Sequence, residues 1–196
     1  MKISIFVGDL CDLPAEALCT STNPRLSLYM GTGGSVRARG GFTILRSCEA
    51  IVEAEFSRSG NRHLPAGSAH VTAAGELPAK VIIHCVASNA RHQSSPEIVR
   101  ACVINALRCA GEAGCTTIAF PVFATGHAGL RFDRALRVIA QELRDAGSAE
   151  HAYIVFNDPD RIDTALVVIR ESFPDVDTDV EISPSLKADE PSTWFS

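Results

Sequence analysis

The sequence predicts an α/β fold in which helices cover both faces of a largely parallel sheet. Two observations predict it. Short apolar runs alternate with longer segments of helical periodicity, and two of those runs lead into glycine-rich stretches that precede a helical pattern. The 196 residues suffice for one domain with a sizeable core, and a hydrophobic content of 46% is that of an ordinary globular protein.

Six short apolar runs are predicted as strands. The first of them ends at Gly8 and Asp9, so it delivers a carboxylate to the strand's carboxyl end, where ligands bind in open α/β sheets. The predicted strands cover residues 2–7, 17–21, 68–73, 80–86, 117–121 and 151–156.

Helices are predicted from apolar residues at helical spacing and from end signals. Ser94, Pro96 and Glu97 are typical of a helix start, and Gly114 is typical of a helix end. The predicted helices cover residues 42–58, 94–113, 132–146 and a last segment after 158–159, with a short helical turn at 34–39.

The composition changes after Phe173, which divides the chain into a domain of residues 1–173 and an acidic, proline-containing tail of residues 174–196. The tail shows no periodicity, and we expect a mobile extension or an arm that docks on its own domain or on a neighbour. Trp194 and Phe195 favour docking, because aromatic side chains often anchor in pockets.

The charge and the cysteine pattern exclude several classes of function. A net charge of −5 argues against general nucleic-acid binding, which needs a basic surface, and no apolar run is long enough to span a membrane. The seven cysteines include no C-x-x-C pair, so the sequence predicts buried free thiols in a reducing cytoplasm. It predicts no metal site and no cofactor.

The stretch 120–129 joins a predicted strand to a predicted helix through small residues. Gly126 and Gly129 permit a tight backbone, Thr125 adds a hydroxyl, and unpaired N–H groups in such a loop can point at one anion. This arrangement suits a diphosphate, although a plain turn between strand and helix is the alternative. A second glycine-rich stretch, Gly31 to Gly34, could enclose the same group from the other side.

In these segments the chain resembles the macro domain family, an α/β module that binds ADP-ribose. The resemblance covers residues 3–173 and implies a three-layer α/β/α sandwich with a mixed, largely parallel sheet. The motifs that carry it lie at residues 8–10, 17–23, 31–34, 77–84 and 119–129.

The resemblance also implies a role for individual residues. Asp9 would accept a hydrogen bond from the adenine amino group, the Leu10 backbone would frame the base, and Phe156 would stack on it. Asn23 would bind the distal ribose through both halves of its amide, and His84 matches a family position where a structural histidine is expected. The remaining residues expected to line the cleft or to bind the diphosphate are Gly31, Thr32, Gly33, Gly34, Val36, Val122, Ala124, Thr125, Gly126, His127, Ala128 and Gly129.

Departures from the family pattern put hydrolysis in doubt. Hydrolytic members carry two asparagines at the strand end and an aspartate ten residues after the second; here Thr20 replaces the first, Asn23 keeps the second, and Gly33 stands at the aspartate position. No lysine lies between residues 2 and 80, which closes a lysine-nucleophile route, and Ala128 replaces an aromatic residue. Asn23 and His127 remain the candidate catalytic residues.

Four functions therefore stay open. The first is binding of free or protein-linked ADP-ribose. The second is hydrolysis of mono-ADP-ribosylated protein or of O-acetyl-ADP-ribose by an atypical or substrate-assisted mechanism. The third is binding of another nucleotide or of single-stranded RNA, against which the acidic charge counts. The last is a domain that kept the fold and lost the ligand.

Overall fold

The computed structural model describes residues 1–146, 149–176 and 178–187. Trp194 and Phe195, on which the docking hypothesis for the tail depends, lie outside these residues. No helix within the described ranges is long and apolar enough to cross a membrane.

In the part of the chain that the structure describes, seven strands form one sheet in the order β3-β4-β2-β5-β6-β1-β7. All neighbours in it are parallel except β3 and β4, which are antiparallel, so the sheet is mixed and largely parallel as expected. The strands are β1 Lys2–Val7, β2 Ala17–Thr22, β3 Ala69–Ala73, β4 Val81–Val86, β5 Thr117–Pro121, β6 His151–Phe156 and β7 Asp179–Ile182.

Helices follow or connect most of these strands, and short 3-10 turns occur at Leu10–Asp12 and Pro159–Arg161. The helices are α1 Gly31–Gly40, α2 Phe42–Ser59, α3 Pro96–Glu112, α4 Phe132–Ala146, α5 Ile162–Ser172 and α6 Pro184–Lys187.

The sheet separates two hydrophobic cores because alternate residues of each strand point to opposite faces. On one face Ile3 and Ile5 pack with the buried residues of α3, α4 and α5. On the other face Phe6 and Leu18 pack with those of α1 and α2. The predicted three-layer α/β/α sandwich is confirmed, and all seven cysteines are free and buried.

Two elements differ from the sequence prediction. Residues 31–34 are predicted as a loop but form the first turn of α1. The helix begins at Gly31, three residues before the predicted helical turn. Strand β7 and helix α6 lie within the segment predicted as a tail. Strand β7 has a mostly exposed, acidic sequence and is held by its parallel pairing with β1.

His84 forms a buried polar network between the sheet and α2. Its Nδ1 lies 3.0 Å from Thr20 Oγ1 and its Nε2 lies 2.9 Å from Thr72 Oγ1, while Cys48 Sγ is 3.5 Å from Nε2. The expected structural role of His84 is thereby confirmed. Thr20 belongs to this network and is fully buried. Its hydroxyl is therefore engaged inside the protein and is not exposed at the carboxyl ends of the strands.

We expect His84 to make the folded chain sensitive to acid. Burial, helped by nearby His70, lowers the pKa of His84 from 6.5 to about 3. The unfolded chain therefore binds a proton that the folded chain excludes, so the stabilisation is complete above about pH 6.5 and is lost as the pH falls towards 3. The free energy of unfolding should fall by about 1.4 kcal/mol per pH unit in this range from His84 alone.

Urea unfolding at about pH 7.5 and about pH 5.5 measures this loss, with the non-titrating variant His84→Gln as the control. The wild type should lose about 1.4 kcal/mol more than the variant between the two pH values. Equal losses in both proteins would contradict the assignment.

Candidate functional site

A cleft of about 1330 Å³ crosses the carboxyl ends of the parallel strands. The order of the strands decides what each part of it contains. Residues that follow β4 and β2 lie at one end, which we call the β2 end. Residues 122–130, which follow β5, form the central loop. Residues that follow β6, β1 and β7 lie at the opposite end, which we call the β1 end.

The central loop has a row of backbone donors. Within the ranges that the structure describes, no protein acceptor is found for the N–H groups of Thr125, Gly126, His127 and Ala128, and these four residues line the cleft. Successive free N–H groups of this kind form a concave site for an anion. The central loop can therefore bind a negatively charged group without any charged side chain.

Hydrogen bonds inside the central loop hold it in shape. Thr125 Oγ1 donates to Val122 O at 2.9 Å, and Leu130 N donates to Ala124 O at 3.0 Å. Ala124 N in turn donates to Ser21 Oγ at 3.4 Å. Ala124 has a φ of 62°, which costs a residue with a Cβ about 1 kcal/mol. Strain of this kind often occurs in ligand-binding loops, where the surrounding structure enforces it.

Helix α1 presents one side of its first turn to the cleft. Gly31, Thr32 and Ser35 line the cleft, and the first turn of any helix leaves N–H groups without intrahelical acceptors. Gly33 and Val36 lie on the opposite side of the helix and are buried. The positive end of the α1 dipole thus faces the same space as the central loop.

Helical periodicity corrects part of the expected site. Val36 does not line the cleft; it packs in the core between α1 and the sheet. Gly33 and Gly34 also turn away from the cleft, and a Cβ on Gly33 would lie 3.2 Å from Leu28 Cδ2. The first atom of any side chain at position 33 would thus be in tight contact with Leu28. Gly129 shapes the central loop by donating from its N–H to Gly126 O at 2.9 Å.

Asp9 at the β1 end is tied to both the 3-10 turn and α1. Its Oδ1 accepts from the Cys11 N–H at 2.9 Å, and its Oδ2 accepts from the Ser35 hydroxyl. Arg39 Nη1 lies 3.6 Å from the same Oδ2. Asp9 therefore caps the turn, and its carboxylate also lines the cleft beside Leu10.

Asp9 stays ionised at neutral and mildly acidic pH. Partial burial acts to raise its pKa, but the hydrogen bonds from Ser35 and Cys11 together with the charge of Arg39 outweigh burial and lower the pKa below 3.8. An ionised carboxylate accepts hydrogen bonds and donates none. The β1 end therefore suits a ligand group that carries N–H or O–H donors.

Phe156 supplies an aromatic wall at the β1 end. Its ring packs against that of Phe132 with the centroids 5.2 Å apart and the planes at 84°, and Arg161 lies over Phe132 at 5.6 Å. All three residues line the cleft. The edge-to-face contact fixes the Phe156 ring, so it can present apolar surface to a flat ligand.

Asn23 lies at the β2 end with half of its amide already engaged. Its Oδ1 accepts from Arg25 N at 2.9 Å and from Ser27 N at 3.3 Å, which builds the turn that an Asn-Pro pair favours. The Nδ2 group has no partner within the described residues and can donate to a ligand. We expected both the oxygen and the nitrogen of the Asn23 amide to bind the ligand. In the structure the oxygen is engaged in the turn, and the Nδ2 group remains available to the ligand.

Sequence reasoning missed His92 and Ser88, which line the β2 end. His92 has a φ of 57°, and Asn89 holds the turn by accepting from Arg91 N and Gln93 N at 2.9 and 3.0 Å. Asn89 was the sequence signal that could have indicated this turn, because asparagine side chains accept from nearby backbone N–H groups and stabilise turns. His92 therefore joins His127 as an imidazole facing the cleft.

A sequence model of the Macro domain matches residues 19–139. A macro domain-containing protein in the sno 5' region of Streptomyces nogalater is 32% identical over 160 residues, which cover 79% of this chain and 85% of the relative. O-acetyl-ADP-ribose deacetylase 2 of Pantoea vagans is 29% identical over 175 residues, covering 86% of this chain and 98% of that protein.

Solved structures show the same fold. The Oceanobacillus iheyensis macrodomain with ADP superimposes with a TM-score of 0.78 at 21% identity, covering 87% of this chain and 90% of that one. The Trypanosoma brucei macrodomain in complex with ADP-ribose gives a TM-score of 0.71 at 23% identity, covering 83% of this chain and 67% of that chain.

Proposed function

This chain belongs to the macro domain family, and from that premise we propose that its cleft binds ADP-ribose, either free or attached to protein. The observation that supports the proposal most strongly is the row of four N–H groups in the central loop that have no acceptor among the described residues, opposite the first turn of α1. Together they form a site for a diphosphate. A fold alone does not require such a site.

The two ends of the cleft fit the two ends of ADP-ribose. At the β1 end the Asp9 carboxylate can accept from the adenine amino group, Phe156 can stack on the ring, and Leu10 frames it. At the β2 end the Asn23 Nδ2 group can donate to the distal ribose. The diphosphate then lies between them, against the central loop and Gly31.

Hydrolysis is the second candidate, favoured by the similarity to a deacetylase of O-acetyl-ADP-ribose. At the β2 end and in the central loop, the described imidazoles that could transfer a proton to a bound ribose are those of His92 and His127, and the phenol of Tyr29 also lines the β2 end. Position 33 supplies no carboxylate, because glycine has no side chain. Gly33 is also buried, and a Cβ added there would point at Leu28 and not into the cleft. Turnover would therefore depend on one of the two histidines, on Tyr29 or on water positioned by the diphosphate.

The overall charge disfavours the remaining alternative. A chain of net charge −5 repels a nucleic-acid backbone, whereas a neutral N–H cradle can still bind one compact diphosphate. We therefore favour ADP-ribose over single-stranded RNA as the ligand. The seven free cysteines fit a reducing compartment, and we propose the cytoplasm as its location.

Capture of a mono-ADP-ribosylated protein tests the proposal. The immobilised chain should retain the modified protein and release it on addition of free ADP-ribose, and it should not retain the unmodified protein.

O-acetyl-ADP-ribose incubated with the free chain tests the second candidate. If neither His92→Ala nor His127→Ala lowers a measured rate of deacetylation, the assignment of the histidines is wrong; retention of both forms of the protein alike would contradict the binding proposal.

A further inference from the structure

The C-terminal segment returns to the cleft at the edge of the sheet. Strand β7 runs parallel to β1 with Ile182 opposite Val7, and the N–H of Ser183 donates to Val7 O at 2.8 Å. The carboxyl ends of the two strands are therefore adjacent. The residues after Ile182 therefore emerge beside Gly8 and Asp9.

Ser183 fixes this segment against the β1 end. A Cβ on Gly8 would lie 2.5 Å from Ser183 Cβ, closer than real Cβ atoms approach, so the two backbones meet only because position 8 is glycine. Ser183 Oγ also donates to Asp12 Oδ2 at 3.1 Å. Asp12 belongs to the same 3-10 turn that Asp9 caps. The segment is thus built onto the turn that frames the β1 end.

Leu186 reaches the cleft itself. Its N–H donates to Ser183 O at 3.0 Å, which turns the chain back over the sheet edge. Leu186 lines the cleft and is partly buried against the same core cluster on which Phe156 packs. An apolar side chain therefore lies at the end of the cleft where an ionised carboxylate and an aromatic ring are already present.

We propose that the chain after β7 supplies the outer wall of the nucleobase subsite through Leu186, and that Leu186 contacts the base. The inference rests on the proposed binding of ADP-ribose. Asp9 recognises a polar edge of the base, while Leu186 and Phe156 cover apolar surface of a flat heteroaromatic ring. The predicted tail then contributes a side chain to the binding site.

Calorimetric titration of the full chain with ADP-ribose and with ADP tests this, using Leu186→Ala and the control Val180→Ala. Val180 is on β7 but is 37% exposed and does not line the cleft. Leu186→Ala should weaken both ligands by the same factor, about fivefold to tenfold, because both carry the base. Val180→Ala should leave both affinities unchanged.

Leu186→Met keeps the apolar volume and should bind within about twofold of the wild type. Wild-type binding that Leu186→Ala leaves unchanged would overturn the inference and leave the proposed function standing. A wild-type chain that binds neither ligand would overturn the proposed function, and this inference with it.

Discussion

Replacing Gly126 with glutamate should weaken ADP-ribose binding by at least about 100-fold without unfolding the chain. Gly126 lines the cleft, its φ is not positive, and a Cβ there would meet nothing within 4 Å. The backbone therefore accepts a side chain. A glutamate carboxylate about 5 Å from a phosphate repels each unit of negative charge by about 3 kcal/mol at an effective dielectric constant of about 20.

Gly111→Glu is the matched control for this substitution. Gly111 lies in α3 outside the cleft, and a Cβ there also meets nothing within 4 Å. The control adds the same charge to the chain, and the free energy of unfolding should change by less than about 1 kcal/mol, because the better helix propensity of glutamate is offset by its negative charge at the carboxyl end of α3. Equal affinity of the two variants for ADP-ribose would show that the central loop does not hold the diphosphate.

Replacing Asp9 with asparagine should lower the affinity for ADP-ribose by about 10- to 100-fold. Asparagine keeps an oxygen for the Cys11 N–H, so the turn survives, but it removes the charge that Ser35 and Arg39 surround. A hydrogen bond to a charged group contributes about 1.5–3 kcal/mol, and an amide offers a weaker acceptor to the adenine amino group.

The base analogue inosine diphosphate ribose makes this prediction specific. Hypoxanthine carries an acceptor where adenine carries the amino group, so the wild type should prefer ADP-ribose and Asp9→Asn should lose most of that preference. Thermal unfolding of both proteins, measured alongside, shows whether the turn has survived. An unchanged preference for adenine in Asp9→Asn would mean that Asp9 serves only as a cap.

Most of the fold could be predicted because its long elements have clear apolar periodicity. Helix α4, for example, spans Phe132–Ala146 as its spacing predicted. The start of α1 could not be predicted, since three of its first four residues are glycines, which disfavour helix in isolation. Strand β7 has no signal of its own, because its sequence Asp-Val-Glu-Ile is held by pairing with β1 alone.

The candidate site was predictable where a residue lies at the carboxyl end of a strand or within two residues after it. Asp9, Asn23 and Phe156 lie in the cleft for this reason, since parallel strands end at one edge. Val36 was misplaced because residues 31–36 are helical and alternate between the cleft and the core. Leu186 was missed because only the order of the strands, which depends on contacts distant in sequence, brings it to the β1 end.

Titration of the wild-type chain with ADP-ribose in a calorimeter, with AMP alongside, tests the central claim most directly. The account predicts micromolar binding of ADP-ribose, on the order of −8 kcal/mol, and much weaker binding of AMP, which lacks the second phosphate and the distal ribose. Absence of binding for both ligands would contradict it, and the likeness to macro domains would then describe the fold alone.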